Sequence, residues 1–272
     1  MEKRGWIPAT KNDDDLESAL KRFFGVDSLD TEPEIFVAAR KTDADRELSD
    51  AQRAWCFRAW HLSKAVMASP FREELLASCE EQLKKLVGFA QESRKVPKTL
   101  AEHGIRFVIV EPLAGSKIDG AAFWLDERSP VIAVSARFDR IDAFWFTLFH
   151  EFIHIKHRDG VSIDTDIVGE PTIAKSDIER RADNEASAML IPTKVMESFV
   201  LRVAPRYSKE RINQFANKIK VHPGIIVGQL QHRGEIGFQA NREMLVKVRD
   251  IVKDSAMTDG WGNQIDLEGS KQ

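Results

Sequence analysis

The chain has 272 residues, 43% of them hydrophobic and 31% charged, with a formal net charge of -3. That composition is ordinary for a folded globular protein with room for two or three subdomains, and it excludes a chain held to nucleic acid by overall charge. No run approaches 18 uncharged apolar residues and no apolar stretch follows Lys3 and Arg4, so neither a membrane span nor a secretory leader is expected. With Cys56 and Cys79 as the only cysteines, read as free and buried, the chain is expected in the cytoplasm.

The first 95 residues read as mostly helical. A short helix is expected over 16–24, after Asp13-Asp14-Asp15, with a loop at 31–36 around Pro33. A longer helix over 49–67 carries Trp55, Phe57, Trp60 and Leu62, and Pro70 restarts helix that continues over 74–87. Trp55 and Trp60 stand five residues apart and are read as packing side chains, not as a platform for a base.

Strand signals follow. Gly104 opens an apolar run over 105–110 that Pro112 ends, and 121–125 and 131–135 read as two further strands joined by a hairpin loop over 126–130. A small sheet packed on the helix that follows is the expected arrangement. The strand at 131–135 is read as an edge that can take an extended peptide as its neighbour.

That next helix holds the most informative stretch, His150-Glu151-Phe152-Ile153-His154. Residues four apart share a helix face, so both imidazoles can reach one metal ion, with Glu151 beside them to accept a proton from an attacking water. Ile141, Phe144, Trp145, Leu148, Phe149, Phe152 and Ile153 make the helix broadly apolar, and Asp139 to Asp142 resembles a capping box at its start. Two histidines and a glutamate inside such a helix are costly to bury unless paired or metal-bound.

A catalytic zinc usually takes three protein ligands. The longer pattern H-E-x-x-H-x-x-G-x-x-H is absent, because His157 stands where it wants Gly and Gly160 where it wants His. A carboxylate from a second helix is the alternative. Ser176 can cap a helix with Glu179 at the capping-box position, and Glu179 and Asp183 are again four apart. Glu179 is the expected third ligand, and Asp183 and His157 are expected beside the ligands, where a carboxylate fixes an imidazole's tautomer. Glu170, Asp177 and Glu185 are further candidates. Two imidazoles and a carboxylate suit Zn²⁺.

Beyond Pro192 the chain reads as helical to about 204, then as a helix-turn-helix-like pair over 208–220 and 224–232. Residues 201–254 hold 11 Lys and Arg against 5 Asp and Glu, a stretch able to meet nucleic acid or an acidic partner but read first as a solvated helical face. Tyr207, His222 and His232 are candidate donors to a developing oxyanion.

The run from Phe149 to His157, then Glu179-Arg180-Arg181-Ala182-Asp183, then Ala188-Met189-Leu190-Ile191-Pro192, resembles the ImmA/IrrE zinc metallopeptidase domain. That domain pairs H-E-x-x-H with a downstream E-x-x-A-[ND]. The segments Arg4 to Pro8, Phe144 to Leu148 and His222 to Gln231 extend the resemblance to HigA-type regulators, although no helix-turn-helix module is expected before Arg4. Ile153 stands where many zinc peptidases carry a small residue. The resemblance implies an α+β fold, mostly helical, with a small sheet on a zincin-like helix. With it, the residue patterns divide the chain into a helical region over 1–95, the metallopeptidase core over 96–204, a helical subdomain over 205–257 and a flexible tail over 258–272. The resemblance also implies a zinc endopeptidase acting on a DNA-binding helix-turn-helix repressor of a stress, phage or toxin–antitoxin locus. The alternative is a non-catalytic antitoxin or transcription regulator that keeps the fold for binding.

Overall fold

The computed structural model describes residues 1–31, 48–165, 176–263 and 265, so Glu170 and most of the expected loop around Pro33 lie outside them. Helix α1 (Asp13–Phe24) is capped by Asn12, whose side chain accepts the N–H of Asp15, and it ends at Gly25 in the left-handed region. Three acids in its first turn and Lys21 and Arg22 in its last complement the helix dipole. Helix α2 (Asp50–Lys64) starts with a full capping box between Ser49 and Gln52. Helices α3 (Leu76–Leu86) and α4 (Val96–Glu102) lead to strand β1 (Arg106–Val110). Strands β2 (Ile118–Trp124) and β3 (Pro130–Val134) form the expected hairpin, closed by the N–H of Leu125 donating to Ser129 O at 2.9 Å.

Helix α5 (Ile141–His157) carries the H-E-x-x-H and is buried from Ile141 to Ile155 except at Phe146. Strand β4 (Ser162–Thr165) follows, then helices α6 (Asp177–Leu190), α7 (Thr193–Val203), α8 (Lys209–Ile219), α9 (Pro223–His232) and α10 (Arg249–Lys253), and strand β5 (Met257–Asp259). Among the described residues the fold is α+β, with ten α-helices around one mixed five-stranded sheet.

The strand order is β4-β2-β3-β1-β5, with β1 parallel to both β3 and β5, and β2 antiparallel to β3 and β4. Both faces of the sheet are covered, which is why β1 and β3 read as continuous apolar runs. Alternate residues separate the two cores: Phe107, Ile109, Ile132 and Val134 face α3 to α9, while Val108, Val110, Val131 and Ala133 face α1 and α2. The first core crosses residue 95 without a break, since Leu83 and Leu86 share it with Val96, Leu100 and Phe144. Trp55 is fully buried and donates its indole N–H to Val110 O at 2.8 Å, a packing role as expected.

Three expectations are corrected. The strand at 131–135 is not an edge: β3 has β2 and β1 on either side, and the edge nearest α5 belongs to β4, a short strand with a weak pattern. Asp139 does not cap α5, whose N-cap Arg140 makes no side-chain cap bond; its Oδ1 accepts the N–H groups of Val248 and Arg249 at the start of α10, at 3.0 and 2.8 Å. The polar tail expected from Thr258 begins as strand, because the buried Asp259 carboxylate is held by Arg58 and by Trp6, whose indole N–H donates at 3.1 Å.

Candidate metal centre

Helix α5 packs between the sheet and helices α6 and α9. Its position delivers His150 and His154 to the space between β4 and α6. The two Nε2 atoms are 3.0 Å apart, and both rings are 0% exposed. Glu179, on the first turn of α6, reaches in from the other side, with Oε2 at 3.2 Å from His150 Nε2 and Oε1 at 3.6 Å from His154 Nε2. Ser176 fixes that turn by accepting the N–H of Glu179 at 3.3 Å, which leaves the Glu179 side chain free to point at the histidines.

A fourth side chain joins them. Asp164 on β4 places Oδ2 at 3.5 Å from His150 Nε2 and 3.7 Å from His154 Nε2. One donor atom from each of His150, His154, Asp164 and Glu179 lies within 4.8 Å of the others. Asp164 was not anticipated. The signal was the alternation in Ser162-Ile163-Asp164, which puts two polar side chains on one face of a strand, and Ser162 Oγ indeed donates to Asp164 Oδ2 at 3.0 Å.

The outer nitrogens of both rings also face carboxylates. His150 Nδ1 lies 3.1 Å from Asp183 Oδ1 and His154 Nδ1 3.0 Å from Asp159 Oδ2, and Arg181 pairs with Asp159. These contacts aim each Nε2 inward, the arrangement that metal-binding histidines commonly show. Asp159 was also missed from sequence. It is delivered by Arg158, which adopts a left-handed conformation (φ 52°) at the end of α5.

Glu151 sits on the sheet side of the same helix turn, fully buried, and neither of its oxygens meets a hydrogen-bond donor among the described residues. Gly120 of β2, paired with Asp164 across the strands, makes room for it: a Cβ there would lie 2.2 Å from Glu151 Oε1. The close approach of α5 to β2 therefore depends on a missing side chain, a signal that an isolated Gly in a strand offers only weakly.

The electrostatics are lopsided. Burial, then the negative charge of Asp164, holds Glu151 well above the ordinary carboxylate range. Glu179 is raised by burial and again by Asp164. Burial alone would depress His150, but Asp164 beside it, followed by Asp183 and Glu179, raises it well above a free histidine. A buried group of acids that exceeds its cations, with inward-facing imidazoles and an orphaned carboxylate, is what a divalent cation would neutralise. The donor set therefore fits a metal ion.

The remaining expected site residues lie as follows. His157 Nε2 is 3.0 Å from Glu185 Oε1 on the exposed side of α5, and Asp177 is exposed and pairs with Arg180. The Tyr207 hydroxyl donates to Glu235 at 2.6 Å, and burial and that carboxylate push it up to about 12. His222 Nδ1 accepts the N–H of Gly224 as the N-cap of α9. His232, at the end of α9, lies with its ring 6.4 Å from Phe146, which in turn lies 6.2 Å from His150. Several cations of the basic stretch are used within the chain: Lys209 pairs with Glu243, and Arg249 donates to the carbonyls of Ala136 and Arg137.

Residues 100–233 match a peptidase-family model described as the IrrE N-terminal-like domain. That span runs from α4 to the end of α9 and contains all four clustered side chains and Glu151. The chain thus carries an ImmA/IrrE-type, metallopeptidase-like domain. No curated protein matches it. Among the described residues no helix is long and apolar enough to cross a membrane.

Proposed function

We propose that this chain is a zinc-dependent endopeptidase in which His150, His154 and Glu179 hold the ion and Glu151 is the general base. The observation that carries the reading is the convergence of two imidazole nitrogens and a carboxylate beside a buried acid that meets no donor among the described residues. Zinc, when bound, polarises the scissile carbonyl and lowers the pKa of its water toward ~7. Glu151 takes the proton from the attacking water and gives it to the leaving amine. Its place on the helix turn between the two histidines puts its carboxylate within reach of a water at the metal. Asp183 and Asp159 hold the two rings with Nε2 inward. His232, brought toward the site across Phe146, is the donor we assign to the developing oxyanion.

The substrate we propose is a DNA-binding helix-turn-helix repressor, cut in the cytoplasm to release a stress, phage or toxin–antitoxin locus. The family resemblance supports that choice. The basic stretch 201–254 would then lie near the repressor's DNA, and loss of DNA retention with rising salt tests that contact. Incubating the zinc-loaded protein with the repressor encoded beside it tests the activity: cleavage by wild type and none by Glu151→Gln is the expected result, and an intact repressor in both overturns it. A second reading, a regulator with a structural metal, is favoured by one observation, the fourth donor Asp164. A Glu151→Gln variant that complements fully in cells would select it.

A further inference from the structure

Three side chains complete the usual protein ligand set of a catalytic zinc, and a fourth position is left for water. Here a fourth side chain, a second carboxylate, already faces the same point. Two donors bound tetrahedrally at ~2.0–2.1 Å from one zinc lie roughly 3.3–3.4 Å apart. The two imidazoles lie 3.0 Å apart, Glu179 lies 3.2 and 3.6 Å from them, and Asp164 lies 3.5 and 3.7 Å from them. Asp164 is therefore as well placed as Glu179.

Asp164 is also held there. It lies on β4, opposite Gly120 across the ladder, its side chain is 3% exposed, and Ser162 donates to the oxygen that faces the histidines. Ser162 Oγ itself is 3.4 Å from both His154 Nε2 and Glu179 Oε1. The carboxylate is thus oriented from the sheet, while the other three donors come from helices. A register shift in β2 between Ile118 and Gly120, where Arg137 grips Asp119 with two hydrogen bonds at 3.0 and 3.1 Å, sets the strand segment that pairs with it.

Resting on the metallopeptidase reading above, we propose that Asp164 is a displaceable fourth protein ligand: the resting centre is closed by four side chains, and water or a substrate carbonyl enters only when the Asp164 carboxylate leaves. The device sets the resting state of the enzyme as latent. Its structural basis differs from that of the other three ligands, which come from helices: Asp164 is carried by a strand that, among the described residues, has β2 as its single sheet neighbour.

The test uses the full chain loaded with zinc or cobalt(II), with acetohydroxamate as a small bidentate probe of an open position. Wild type should bind one equivalent of either metal, and its cobalt absorption should be unchanged by acetohydroxamate at concentrations that perturb Asp164→Ala. The variant should bind the probe at least about tenfold more tightly and zinc at least about tenfold more weakly. Asp164→Asn, which keeps the shape of the side chain, should fall between them and serves if the alanine variant misfolds. Equal probe binding by wild type and both variants, with zinc affinity unmoved, would overturn the proposal and leave the metallopeptidase reading standing. Absence of stoichiometric metal in wild type would overturn both.

Discussion

Two buried charge clusters lie on opposite faces of the same sheet, and they are built on different terms. On the face of α1 and α2, Arg58 and Asp259 form an ion pair, with 5% and 2% of their side chains exposed. Trp6 donates to the same carboxylate, and Arg58 also donates to Ile265 O at 2.6 Å, so donors and acceptors are matched. On the face of α5, Glu151, Asp164 and Glu179 crowd two imidazoles, and among the described residues no N–H or hydroxyl group donates to Glu151. A balanced buried pair specifies how elements dock. An unbalanced one is costly in isolation and persists when a ligand completes it.

That contrast can be broken from either side. The largest expected effect is Glu151→Gln: peptide cleavage should fall about 10²–10⁴-fold in kcat, with zinc content unchanged and the metal-free protein no less stable than wild type, since glutamine keeps the shape of a side chain whose charged form is disfavoured there. A kinetic and melting comparison checks it, and a large loss of stability would show that Glu151 is a structural acid.

Next comes the balanced pair. Arg58→Met strands a buried carboxylate and should cost about 3–5 kcal/mol in denaturant unfolding, while Arg58→Met with Asp259→Leu recovers most of it. Zinc stoichiometry of the folded protein should not change in either.

Gly120→Ala is smaller. Its Cβ would press on Glu151, which has nowhere to move, and overpacking of this kind costs about 1–3 kcal/mol. On the proposed mechanism, cleavage should drop more than zinc affinity does, because Glu151 is displaced while His150, His154 and Glu179 are not.

The smallest effect is the acid response of the apolar face. His61 packs edge-on against Phe23 and Phe57, and burial, helped by Lys64 and Arg58, lowers it from 6.5 to about 4. The unfolded chain therefore takes up the proton first, so this contribution is complete above pH 6.5 and is lost as pH falls toward about 4. Melting curves at pH 7 and pH 5 should show a smaller acid-induced drop for His61→Leu than for wild type.

Legibility in the sequence follows the range of each interaction. The i, i+4 pairs on α5 and α6 were readable because helix geometry is local, and Ser176 announced the turn that carries Glu179. Asp183 was readable for the same reason. Asp164, Asp159 and Gly120 were not, because each acts through a contact set by strand pairing or by a left-handed residue after the helix. The edge position of β4 was equally hidden: sheet order depends on crossovers, and nothing in a five-residue apolar run says which strand lies outside. Asp139 was misread since a capping residue serves whichever helix start comes near it in space, here α10.

The proposed chemistry rests on one divalent cation clasped by His150, His154 and an acid from α6. Elemental analysis with zinc titration of purified wild type beside His150→Ala and Glu179→Ala tests it most directly. The account predicts one zinc per wild-type chain and weakened or absent binding in both variants. A metal-free wild type that cannot be loaded, or variants that hold zinc as tightly as wild type, would contradict it.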